Sequence, residues 1–227
     1  MTSPRLTLFA VILTFGTGSV DAASFVRLGG VFSSVMTGNL VVAGSAISSE
    51  SLDTALHTVV ALVGYVMGAA LGTHVAGRPR PDEPVWPGRV TVTLAIELGV
   101  IACFALGWEL AGEKPGIVAE HVLLALAALA MGMQSAAMRG LGGRAALSTT
   151  YLTGTLTGVV AALLTPREGA RFDVPGMAIL AALTAGAAAG AAFVSFAPAF
   201  LPAIPLTTLT LVVVLALFTG PPGAAAG

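Results

Sequence analysis

Charge is what this sequence has least of: Asp, Glu, Lys and Arg make up 9% of 227 residues, against 56% hydrophobic. So little charge excludes an ordinary soluble domain, in which about a quarter of residues are charged. A net charge of -1, with scattered basic residues and a single lysine at position 114, excludes the electrostatic footprint of a nucleic-acid binder. One cysteine, Cys103, excludes an intrachain disulfide and sits in an apolar run as a small packing residue. Long polar stretches are missing too. The longest, "GRPRPDEPVWPGR" at 77 to 89, leaves no room for a soluble catalytic domain. There is no phosphate-cradling GK[ST] loop, and "GTGSVDAAS" lacks the strand-turn-helix setting of a hydrolase elbow, so no enzyme and no cofactor are expected.

What fills the chain is one apolar run after another, at about 6 to 27, 31 to 48, 54 to 76, 90 to 111, 117 to 139, 147 to 164, 174 to 196 and 200 to 219. At about 20 residues per crossing this is room for roughly six to eight spans. No alternating barrel pattern occurs, so the runs are read as helices of an all-α integral membrane protein in contact with the bilayer. The first run resembles a signal peptide, with a small-residue site near Ala22 and Ala23. It is read instead as a retained first span, because cleavage there would remove Asp21 from a segment that has an internal counterpart.

That counterpart comes from laying "DAASFVRLGG" (21 to 30) on "QSAAMRGLGG" (134 to 143), which sets Asp21 on Gln134 and, after a three-residue insertion, "MTGNL" (36 to 40) on "LTGTL" (152 to 156). The reading is a diverged duplication of about 113 residues, 1–113 and 114–227, within one membrane domain. The runs 31 to 48 and 147 to 164 are the shortest and the richest in Ser, Thr and Gly. If all eight runs cross, the basic residues divide six against four. If the two short ones turn back, Arg5, Arg78, Arg80, Arg89, Arg139, Arg144, Arg167 and Arg171 share one face against Arg27 and Lys114, eight against two. The positive-inside rule favours the second arrangement, with both termini cytoplasmic. The expected fold therefore has six transmembrane helices plus two short re-entrant or broken helices, in an inverted 3+3 repeat. A tilted, bent full span is the alternative for each short run.

Candidate functional residues are the polar ones in these spans. Asp21 is expensive in lipid and reads either as a proton or cation coupling group or as a cap or hydrogen-bond anchor for Ser24 or Ser33. Glu97, near mid-bilayer, either couples protons or a cation, pairs with a histidine, or is a neutral, hydrogen-bonded structural carboxyl. Thr37, Gly38 and Asn39, with Thr153, Gly154 and Thr155, read as an unwound cavity lining or as close-packing positions, and Gln134 joins the lining set. His57, His74 and His121 fall at run ends with no metal-ligand spacing, so no metal site is expected.

"DAASFVRLGGVFSSVMTGNLVVAG" with "AMGMQSAAMRGLGGRAALSTTYLTGTLTG" resembles the bacterial YoaK family of membrane proteins over essentially the whole chain. Ser135 stands where that family's pattern has asparagine. The resemblance implies six spans and carries the label of small hydrophobic molecule transporter. The expected function is secondary transport of a small, neutral or hydrophobic solute across the bacterial inner membrane. A channel built on the same half-helices, or a non-transporting scaffold or lipid-binding protein, is the alternative.

Overall fold

The structure is a computed structural model that describes residues 4–80, 83–112, 115–142, 152–164 and 173–218. Lys114, Arg144, Arg167, Arg171, the start of the second short run and the boundary between the two sequence halves lie outside the described residues. Eight α-helices are described: α1 Pro4–Arg27, α2 Met36–Ser48, α3 Leu52–Ala76, α4 Gly88–Ala111, α5 Ile117–Gly140, α6 Leu152–Leu164, α7 Val174–Phe196 and α8 Ala203–Phe218. Six are long and apolar enough to cross a membrane, α8 together with the short 3₁₀ turn Pro198–Phe200 that precedes it. Apolar sequence alone forces this result, because backbone groups without water must find partners inside their own helix. Starts are set locally: Asp173 caps α7 by accepting the Gly176 N–H at 3.0 Å, with Pro175 in the first turn.

Short α2 and α6 differ from the expected picture in one respect. Gly38 lies inside the first turn of α2 and Gly154 inside that of α6, both helical, so neither glycine is the break. The non-helical residues of the first short run are 31 to 35, continuing from the turn at 28 to 30, before the TG pair.

Packing is dominated by two helix pairs, α3 with α5 and α1 with α7. Both pairs run parallel and meet through glycines. On α7, Gly186 and Gly190 rest on the carbonyls of Phe15 and Ser19; on α3, Gly68 and Gly72 rest on those of Leu129 and Met133. Reciprocally, Gly18 of α1 meets the Leu183 carbonyl and Ala187 N of α7, while Gly132 of α5 meets the Tyr65 carbonyl and Ala69 N of α3. A Cβ at any of these positions would collide with backbone, so small residues set the helix separation. The same contacts thus occur twice, with α1 numbers shifted by 114 onto α5 and α3 numbers by 118 onto α7. Secondary pairings repeat likewise: α4 on α5 and α8 on α1, α2 on α3 and α6 on α7.

Contacts also fix which helix ends lie together. Phe9 of α1 packs edge-on against Trp86, 4.9 Å between centroids, in the loop where Arg89 donates to the Arg78 carbonyl at 2.7 Å and to Glu83. Gly140, next to Arg139 at the end of α5, lies against Ala76 and Val90. Arg5, Arg78, Arg80, Arg89 and Arg139 therefore share one end of the bundle. At the other end Gly29, just after Arg27, lies on the His57 ring near the start of α3, and Trp108 of α4 donates to the Pro198 carbonyl at 2.8 Å after α7. The chain from 28 to 51 thus begins and ends at the same end of the bundle, opposite Arg5, Arg78, Arg80, Arg89 and Arg139.

Candidate functional site

The 28 to 35 stretch is where irregular backbone meets buried polar side chains. Gly29 takes φ +90° and Gly30 φ +72°, and a Cβ at Gly29 would collide with His57, so the chain reverses here on residues able to adopt the left-handed region. It then descends beside α1 to Asp21, six residues and about 9 Å before the end of that helix. Asp21 is 6% exposed, and its carboxylate accepts four hydrogen bonds. Oδ1 takes the Ser33 N–H at 2.9 Å, the Ser33 hydroxyl at 2.8 Å and the Ser34 N–H at 2.8 Å; Oδ2 takes the Ser34 hydroxyl at 2.5 Å. Of its two sequence readings, this geometry is that of the anchor, for Ser33 and Ser34. Ser24, the other expected partner, leaves its hydroxyl without a bond among the described residues.

Asn39, fully buried, completes the stretch. Its Oδ1 accepts the Phe32 N–H at 2.9 Å and its Nδ2 donates to the Phe32 carbonyl at 2.6 Å. Two side chains thereby serve the N–H groups of three consecutive residues and the Phe32 carbonyl, backbone groups that no helix or sheet pairs. Phe32 also stacks on Phe25 at 5.0 Å.

The other expected residues fall in separate places. Gln134 is buried on α5 and donates to Thr17 of α1 at 2.7 Å, and Thr17 in turn donates to the Leu13 carbonyl. Next to it, Ser135 accepts from the Tyr65 hydroxyl at 2.8 Å. In the register of the doubled helix contacts the equivalent of Asp21 is Ser135, one residue from the Gln134 of the LGG alignment. Thr37 is exposed and Gly38 half-buried; Thr153 and Gly154 are exposed and Thr155 half-buried. α2 packs on α3 and α6 on α7, and α2 with α6 is not among the packed helix pairs of the described residues.

Glu97 stands apart from all of these. It lies on the α4 stripe Val90, Leu94, Glu97, Ile101, Phe104, Trp108 that faces the interior, and it is 1% exposed. Neither carboxyl oxygen has a hydrogen-bond partner among the described residues.

Sequence reasoning missed one cluster. His57 and His121, 64 positions apart, stack at 4.3 Å at the end of the bundle opposite the arginines. His57 Nδ1 is 2.8 Å from the Asp53 carbonyl, which can only accept, so that nitrogen carries the hydrogen. Nε2 is 3.4 Å from Glu120 Oε2, without hydrogen-bond geometry. The only sequence signal was that both residues sit within the first six positions of helices, α3 and α5, that run parallel. Among the described residues no group of three His, Cys, Asp or Glu is placed to hold a metal ion.

Residues 9–217 match the family described as "Protein of unknown function (DUF1275)". The chain belongs to that family. A DUF1275 assignment agrees with a second likeness: the UPF0700 transmembrane protein YoaK of Bacillus subtilis (strain 168) is 35% identical over 149 residues, 66% of this chain. The match spans 63% of the length of that relative. No solved structure matches the chain. With six apolar helices, this DUF1275 member is a multi-pass membrane protein of the YoaK family.

Proposed function

We propose that this protein is a secondary transporter, not an enzyme, moving a small, neutral or hydrophobic solute across the bacterial inner membrane with both termini cytoplasmic. The observation that carries the reading is the 28 to 35 stretch. Non-helical backbone packed among apolar helices is costly unless its polar groups are paired, and in transporters irregular backbone between helices often lines the path of a solute. Here it is held by a buried carboxylate and a buried amide.

Two further features support the inverted 3+3 repeat within this reading. Contacts that recur with α1 exchanged for α5 and α3 for α7 are those a two-fold axis in the membrane plane would generate, and parallel α1–α7 and α3–α5 pairs fit halves that enter from opposite faces. Residues 28 to 51, returning to the end they left, support a re-entrant first short segment. Thr37, Thr153 and Gly154, exposed on α2 and α6, are then lining residues offered to a solute from the two faces.

The test uses the purified protein in proteoliposomes loaded with a deproteinised small-molecule extract of bacterial cells. A pH gradient is imposed and the external solution is followed by mass spectrometry. A neutral solute whose movement requires both protein and gradient supports the proposal. Movement indifferent to the gradient points to a channel, and the absence of any protein-dependent movement overturns transport.

A further inference from the structure

Among the described residues two carboxyls are buried in the apolar helices, Asp21 and Glu97, and one of the two has no bonded partner. Asp21 spends both oxygens on Ser33 and Ser34, so its carboxyl is committed to holding the 28 to 35 stretch. Glu97 holds nothing. Its carboxyl is 1% exposed, about 14 Å along α4 from Gly88, and no group among the described residues is bonded to it.

Nor is there a counter-charge at its level among the described residues. The helices packed on α4 are α5, α8 and α3. α5 carries no charged residue between Val122 and Met138, α3 none between Thr58 and Thr73, and α8 none at all. The titratable group nearest mid-span on these helices is Tyr65, whose hydroxyl is committed to Ser135. The charged and titratable residues of α3 and α5, namely Asp53, His57, His74, Glu120, His121 and Arg139, sit at helix ends. A bare carboxylate in such surroundings costs several kcal/mol. Electrical neutrality therefore demands a cation on it. A sodium or calcium ion needs several oxygen ligands, and none converges here; a proton needs no other ligand.

Resting on the transporter reading, we propose that Glu97 is the proton-carrying site of this protein and that Asp21 is a positioning residue. Glu97 lies on the inward face of α4, a helix whose seam with α8 joins corresponding elements of the two halves. Rocking of one half against the other would open that seam alternately to either side, bringing the carboxyl into reach of water from each face in turn.

The experiment is labelling of the purified full-length protein with dicyclohexylcarbodiimide, a hydrophobic reagent. A protonated carboxyl adds its O–H across one C=N bond of the reagent, and an acyl shift from oxygen to nitrogen then gives a stable N-acylurea with no leaving group. Peptide mass spectrometry should find the adduct on Glu97, diminishing as pH is raised, lost in E97Q and retained in D21N. In parallel, pH-difference infrared spectra of proteoliposomes should show a carboxylic C=O band that E97Q removes and D21N leaves. Absence of Glu97 from both the labelled peptides and the difference spectrum overturns the inference, as does gradient-driven movement of a solute that survives unchanged in E97Q. Labelling and titration of Glu97 without movement of any solute would instead overturn the transporter reading and leave the proton site standing.

Discussion

At the scale of single residues, the carboxylate of Asp21 and the amide of Asn39 do the work that water does in a soluble loop. Removing either leaves buried backbone donors without partners, at about 1 to 3 kcal/mol each. D21A strands the Ser33 and Ser34 N–H groups and should cost about 3 kcal/mol or more, read as a lowered unfolding temperature in detergent. D21N keeps one acceptor oxygen and should cost about 1 kcal/mol, with the fold retained. A D21N protein as unstable as D21A would show that the charge itself, beyond its four hydrogen bonds, holds the turn. N39A should speed hydrogen exchange at the Phe32 amide while leaving the helical amides of α4 unchanged. Sequence alone marked Asp21 and Asn39 as conspicuous, because polar groups in a span are rare. It could not tell an anchor from a coupling group, since that distinction depends on whether Ser33 and Ser34 fold back onto the carboxylate. Glu97 was equally conspicuous, and what separates it from Asp21 is the emptiness around it, which no spacing encodes.

At the scale of helices, glycine seams decide which elements touch. The boundaries of the six long runs were legible to within a few residues because lipid leaves the backbone one solution. Pairing was less legible. The signal was present in the four-residue spacing of Gly64, Gly68 and Gly72 and of Ala182, Gly186 and Gly190, but small-residue spacing names a face without naming its partner. The TG pairs misled in a specific way: glycine suggested the point of unwinding, whereas hydrogen bonds from Asp21 and Asn39 stabilise the irregular backbone several residues earlier. Substitutions at the two kinds of glycine should therefore differ. G68L and G186L push a side chain into the carbonyls of Leu129 and Phe15 and should abolish a monodisperse peak in size-exclusion chromatography. A methyl added at Gly154 would meet none of the described atoms within 4 Å, so G154A should be neutral or stabilise α6 by up to about 1 kcal/mol, read as an unchanged or raised unfolding temperature.

At the scale of the whole molecule, the principal interfaces, α3 with α5 and α1 with α7, join the first half of the sequence to the second. Neither half contains its own core. Residues 1–112 or 115–227 expressed alone should aggregate, whereas the two co-expressed should copurify as a complex through a tag on either one. For topology, Cys103→Ser gives a cysteine-free background. Single cysteines at Gly30 and Ser49 should then react with an impermeant maleimide from the same side of intact spheroplasts or inverted vesicles, and labelling from opposite sides would convert residues 28 to 51 into a full span. The α1–α7 pairing also has a cost during biogenesis. α1, the most buried of the six spans, leaves the ribosome about 150 residues ahead of the helix that covers its glycine face. At 5 to 20 residues per second, that surface waits about 7 to 30 s in the membrane without its mate. During that interval the nascent chain depends on the insertion machinery, or on lipid alone, to keep a helix with a buried aspartate from being expelled or degraded.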